Sequence, residues 1–370
     1  MRDLVKPMRA DKQTHIPSLD GIRGIAALLV FVSHAGLDDV IPGGFGVTIF
    51  FFLSGYLITT LLRQEFAKTE SISLRRFYLR RVYRILPPMY IVLAILILLA
   101  WADVVPSNME LGAVAAQFVQ VTNYYLILHG PSHLVPFTIP MWSLAIEEHF
   151  YLIFPVAFAF LLRHYDYRRV AAIFLVVCAA VLLWRCYLFM GLGVSWRYTY
   201  MATDTRIDSL LYGCTLGVWC NPWLDRPIPD THRRRWILLL ILSVGLLLFT
   251  FLYREPAFRE TFRYSIQGIA LFPIFLCAVR FHTWPIFSWL ELRLVRGLGL
   301  ISYTFYLCHF ACLRIVEERL HATAIVRGVV AFVLAVAFST LMYVLIERNL
   351  AAVRRRLHDT VGQRRLTQTV

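Results

Sequence analysis

Charge is what this sequence has least of. Asp, Glu, Lys and Arg make up 16% of its 370 residues, against 59% apolar residues. A soluble domain carries roughly a quarter charged residues and under half apolar ones. So little charge cannot cover a surface facing water, and the same composition excludes a disordered or fibrous chain. Paired cysteines are missing as well. All seven (Cys178, Cys186, Cys214, Cys220, Cys277, Cys308 and Cys312) lie in or at the ends of apolar runs, with no Cys-x-x-Cys among them. Neither a zinc site nor a disulfide framework is indicated, and they read as small hydrophobes. There is no internal repeat, glycine-rich phosphate loop, Gly-x-Ser-x-Gly elbow or His-Glu-x-x-His motif. With no covalent nucleophile site and no metal in view, chemistry would have to be base-assisted transfer from an activated donor.

What is present is apolar length, with a mean hydropathy of +0.63. A bilayer core takes about 20 apolar residues per helix. Ten stretches approach that ruler: about 22–38, 44–62, 86–102, 141–162, 170–190, 206–221, 236–253, 264–279, 297–316 and 323–346. The expectation is an all-α polytopic membrane bundle of about ten spans, with 206–221 the shortest. Gln117, Gln120 and Asn123 interrupt 111–128, which is expected to be re-entrant or interfacial. The first run lacks a small-residue cleavage site and reads as a retained span, not a signal peptide. The organisation expected is a tail over 1–21, a membrane domain over 22–346 and a basic tail over 347–370.

The net charge of +14 is a topology signal. One alternate set of connections carries 27 Lys and Arg, the other carries five, and five lie inside the spans. The positive-inside rule then puts both termini in the cytoplasm. The basic residues sit between apolar runs, not on one face of a soluble domain, so the partner expected is the lipid bilayer and not a nucleic acid.

Charges inside spans cost about 2.5–3.5 kcal/mol each on insertion scales, so each is a functional candidate. Arg23 and His34 are eleven residues apart on the first span; helical geometry puts them on one face within about 20°, about 16 Å apart along the axis. They suit the two ends of a polar track, an anion anchor and a proton-handling imidazole, and Asp20 precedes Arg23. Asp38 follows His34 by one helical turn and would share its face. Glu147 and Glu148 lie about 9–10 Å into the fourth span, at a depth similar to His34. His309, and Arg206 with Asp208, fall in outer halves too. Ionisable groups from four spans thus reach one level, the pattern of a site. On the cytoplasmic side Arg75, Arg76, Arg80, Arg81 and Arg84 alternate with Phe77, Tyr78, Val82 and Tyr83 before Pro87-Pro88. This is expected as an interfacial amphipathic helix that stops at the prolines, with Arg81 and Arg84 able to present two guanidiniums to phosphates.

Seven segments in order resemble the acyltransferase family 3 membrane proteins, which O-acylate sugars, lipids and small molecules. They are Ser18–Ala27 with His34, Gly43–Tyr56, Arg80–Pro87, Trp142–Glu147, Thr203–Asp208, Ser302–His309 and Ile346–Arg348. Any one is weak; seven in family order over nearly the whole chain are specific. After the last, Asn349-Leu350 departs from a common Pro-Phe. The resemblance implies ten spans, a catalytic His at His34, a first-span Arg at Arg23, and an Arg-x-x-Arg at Arg81 and Arg84 that contacts acyl-CoA. It also implies a stand-alone version, without the hydrolase-like domain some members carry.

The mechanism expected has acyl-CoA (acetyl-CoA above all) as donor co-substrate and no permanently bound cofactor. Its phosphates rest on Arg81, Arg84 and Arg23, and its thioester lies near His34. His34 is general base on a hydroxyl of a glycan, lipid-linked sugar or small molecule, and Glu147 orients it or takes the proton. Asp20, Glu148, Arg206, Asp208 and His309 are expected to support the site or the acceptor. The location expected is the bacterial inner (plasma) membrane. A proton-coupled transporter is the competing class, disfavoured by the absence of repeat symmetry.

Overall fold

The computed structural model describes residues 16–225 and 233–351; the basic tails lie largely outside them. The described residues are helical, with no strand. In order they form α1 (Pro17–Val32) extended by a π-helical turn (Ser33–Leu37), α2 (Gly43–Thr69), α3 (Leu74–Trp101), α4 (Leu111–Phe118), α5 (Thr122–His129), α6 (Trp142–His164), α7 (Tyr167–Cys186) and α8 (Trp196–Met201). There follow α9 (Thr203–Val218), α10 (Arg233–Leu252), α11 (Pro256–Glu260), α12 (Phe262–Arg280), α13 (Pro285–Ser288), α14 (Arg293–Arg319) and α15 (Ala324–Met342). Nine helices among the described residues are long and apolar enough to cross a membrane. Lipid cannot bond stray backbone groups, so helices are the form such segments must take.

The chain divides into two compact units. The first comprises Met1–Ile72, Gln120–Gly130 and Met141–Leu300; the second comprises Ser73–Val119, Pro131–Pro140 and Ile301–Val370.

In the first unit α9 packs against α2, α7 and α12. It is the shortest of the expected spans, at 16 residues, and is not among the nine. The reason is burial: from Thr205 to Val218 all but Ile207 are buried. A helix enclosed by protein can carry Thr, Asp, Arg and Ser that a lipid-facing one cannot. Its approach to α2 is set by two glycines. A Cβ on Gly213 would lie 1.9 Å from the Phe52 carbonyl oxygen, and one on Gly55 2.0 Å from that of Leu210. Small residues bring membrane helices to backbone contact in this way. By contrast only 22% of the most apolar stretch of α10 is buried, against 72% for α2.

The first helix begins at Pro17, within the stretch expected as a tail, because proline suits the first helical turn. The Asp20-Gly-Ile-Arg-Gly segment also has a packing role in this unit. A Cβ on Gly21 would strike the Leu290 carbonyl at 2.2 Å, and one on Gly299 the Asp20 carbonyl at 1.9 Å.

The second unit corrects one expectation. The arginine-rich segment does not stop at Pro87-Pro88 but runs on as one helix, Leu74–Trp101. Prolines withhold two N–H donors and crowd the preceding turn. At that turn the Tyr303 hydroxyl donates to the Ile85 carbonyl at 2.8 Å. The stretch 111–128 forms two short helices, α4 in this unit and α5 in the first. Gln117 is buried there, donating to Thr138 and accepting from the Val135 N–H at 3.2 Å.

Candidate active site

Of the residues singled out from sequence, the first unit holds Asp20, Arg23, His34, Glu147, Glu148, Arg206 and Asp208, and the second holds Arg81, Arg84 and His309.

Arg23 is ion-paired to Asp20 one turn earlier, Nη1 to Oδ1 at 3.0 Å, and both side chains are largely buried. This gives the charge a counter-ion within its own helix. His34 lies in the π-helical turn that extends α1, and its side chain is exposed. Gly36, at φ 100°, breaks the helical path two residues later. The α-helical spacing that would put Asp38 on the face of His34 therefore does not carry through, because glycine at that position takes a backbone conformation other residues rarely adopt.

Glu147 has partners from two helices. The Ser54 hydroxyl of α2 donates to its Oε2 at 3.1 Å, and the Tyr151 hydroxyl, one turn along α6, donates to the same oxygen at 2.5 Å. Two donors on one carboxylate oxygen fix its orientation. Its neighbour in sequence, Glu148, is half-buried. His149 follows with Nδ1 2.7 Å from the Thr203 hydroxyl, which also accepts from the Asn123 amide at 3.1 Å.

Arg206 and Asp208, two residues apart in sequence, have separate surroundings. Asp208 is fully buried and paired with Arg185 at 3.0 Å. It also accepts from the Ser265 hydroxyl at 3.0 Å. Arg185 itself donates to the Thr261 and Thr205 carbonyls. This cluster ties α7, α9 and α12 together. Arg206 is also fully buried, but over rings: its guanidinium carbon lies 3.9 Å from the centre of Tyr264 and 5.4 Å from that of Tyr200. It donates to the Thr48 hydroxyl and the Tyr200 carbonyl, each at 3.2 Å. Asp204, in the same segment, accepts from the Trp184 indole at 2.8 Å and from Tyr198. Thr203–Asp208 is thus a row of fasteners, its polar side chains held between them to α2, α5, α7, α8 and α12.

In the second unit Arg81 lies over the Phe77 ring at 5.6 Å, and Arg81 and Arg84 are half-buried one turn apart on α3. His309 is buried, donates from Nδ1 to the Tyr306 carbonyl at 2.7 Å, and stacks on Phe305. That bond leaves Nε2 without the ring's proton in the neutral form. Glu347, from the last motif, accepts from Thr304 at 2.6 Å.

Sequence reasoning missed Ser54, Tyr151, Arg185 and Tyr264. Arg185 was findable as a charge inside a span. Ser54 stands in the Gly43–Tyr56 segment, but nothing in its spacing points to Glu147, 93 residues away.

The family model described as an acyltransferase domain matches residues 16–344. The chain is 29% identical over 324 residues to the peptidoglycan O-acetyltransferase OatA of Listeria monocytogenes, covering 84% of this chain and 51% of that protein. It is 29% identical over 306 residues to the O-acetyltransferase OatA of Staphylococcus aureus, covering 80% and 50%. It is 32% identical over 315 residues to the putative peptidoglycan O-acetyltransferase YrhL of Bacillus subtilis, covering 80% and 48%. The chain spans about half the length of these curated relatives. No solved structure matches it.

Proposed function

This integral membrane protein belongs to the acyltransferase family 3, and from that premise we propose that it transfers an acetyl group from acetyl-CoA to a hydroxyl of a glycan. The observation that carries the reading is the family match over residues 16–344, joined to relatives named as peptidoglycan O-acetyltransferases.

In this reading His34 is the general base. It takes the proton of the acceptor hydroxyl as the oxygen attacks the thioester carbonyl; the C–S bond then breaks and coenzyme A leaves as thiolate, which takes the proton. An exposed imidazole is open to a substrate. Glu147 orients or relays the proton, and its double anchorage by Ser54 and Tyr151 suits a group that must keep one position. Arg81 and Arg84 hold the donor's phosphates, a role for which paired guanidiniums are suited. The positive-inside count supports both termini in the cytoplasm, with the donor taken from that side. The inner (plasma) membrane of a bacterium is the location this reading gives.

Purified full-length protein incubated with acetyl-labelled acetyl-CoA and peptidoglycan fragments should place base-labile label on the glycan and release coenzyme A. Flux of a solute or of protons without coenzyme A release would favour the transporter instead.

A further inference from the structure

The first unit contains a cavity of about 390 Å³, the size of a small-ligand pocket. It lies among the α1–α2 connection, α8 and the α10–α12 turn, and Ser33, the residue before His34, is part of its wall.

Its lining is unlike that of a channel for an acyl chain. Trp196, Tyr200, Tyr253 and Tyr264 give it ring faces with polar tips, and Asp38 and Asp39 face it from the α1–α2 side. From the α10–α12 side come Arg254, Arg259 and Arg263. Aromatic faces stack on the C–H faces of a pyranose, while guanidiniums and carboxylates bond its hydroxyls. Two of these arginines, Arg254 and Arg259, make no ion pair among the described residues. Arg254 instead donates to the Asp39 carbonyl. Arg263 donates to the Tyr264 hydroxyl at 2.8 Å and lies 4.0 Å from Glu260.

The set of connections poor in Lys and Arg holds only five, and three of them are these arginines. Topology gives no reason for basic residues there, because the positive-inside rule works against them. Behind the cavity wall, Arg206 is buried against Tyr264 and Tyr200 without a carboxylate partner, and its Nε has no hydrogen-bond partner. A buried cation without a counter-ion raises the local potential in favour of an anion.

We infer that this cavity is the acceptor subsite and that it takes a sugar ring bearing a carboxylate. The ring lies against Trp196 and Tyr200, and the carboxylate meets Arg254 and Arg259. The word acceptor rests on the acyltransferase reading; the binding itself does not.

Glucuronic acid and glucose, which differ at that carboxylate, serve as probes. Saturation-transfer NMR on the full chain in detergent, without donor, should show glucuronic acid bound about tenfold more tightly than glucose, as expected for a charge-assisted contact. Arg259→Gln, a change at an exposed residue, should bring glucuronic acid to the level of glucose, and Trp196→Ala should weaken both sugars. Equal binding of the two sugars by the native chain, no binding of either, or an Arg259→Gln chain that binds as the native one does would each overturn the inference. Kinetics separate the two readings. If the native chain binds glucuronic acid but transfers no acetyl group to any glycan, the acyltransferase reading fails and the cavity stands. If it transfers to a carboxylate-bearing glycan while Arg259→Gln leaves the acceptor KM unmoved, the cavity assignment fails.

Discussion

Glu147 shows what a single residue can contribute when its position is fixed from two helices. With Ser54 and Tyr151 both donating to Oε2, Glu147→Gln keeps the shape of the side chain and removes its charge. General acid–base groups contribute about 10²–10⁴-fold, so kcat for acetyl transfer is expected to fall in that range, with the acetyl-CoA KM little changed. Ser54→Ala, which removes one of two anchors, should lower kcat by about tenfold or less, in line with a lost hydrogen bond to a charged group. Steady-state rates at saturating acceptor check both. The sequence makes Glu147 legible because a carboxylate within an apolar run is expensive. It leaves Ser54 and Tyr151 illegible, since a hydroxyl in a helix satisfies itself on the preceding turn in most settings. The same limit hid the split between Arg206 and Asp208. Two residues apart, they look like one site, yet one is held by Arg185 and the other by rings.

At the scale of helices, α9 is the element on which the first unit closes. The Arg185–Asp208 pair has no exposure on either side. Breaking such a pair on one side costs about 3–5 kcal/mol, while replacing both partners by apolar residues is often neutral. Asp208→Ala should therefore lower the thermal midpoint in detergent sharply, and the double change Arg185→Met with Asp208→Leu should recover most of it. A tight backbone contact makes a second prediction. A methyl group at Gly213 would meet the Phe52 carbonyl at 1.9 Å, so Gly213→Ala should destabilise by about 1–3 kcal/mol through overpacking, read in the same melting assay. The nine lipid-length helices were legible because bilayer thickness imposes a ruler. Packing shifted only the bounds of α9, expected at 206–221 and found at Thr203–Val218, a helix short and polar for a span because protein surrounds it. Packing obscured the passage of α3 through Pro87 and Pro88, which a hydroxyl from Tyr303 accompanies at the Ile85 carbonyl.

For the whole molecule, the charge count makes a claim about sidedness. Single cysteines introduced into a cysteine-free chain should react with an impermeant reagent from outside the cell at 254–263, and only in inverted vesicles at 75–84. The reverse pattern would contradict the orientation. The reaction itself is tested most directly by His34→Ala. Acetyl transfer from labelled acetyl-CoA to peptidoglycan fragments should drop to background in that variant, while it purifies and melts like the native chain. An alanine variant that is folded and still transfers acetyl groups at the native rate would contradict the account.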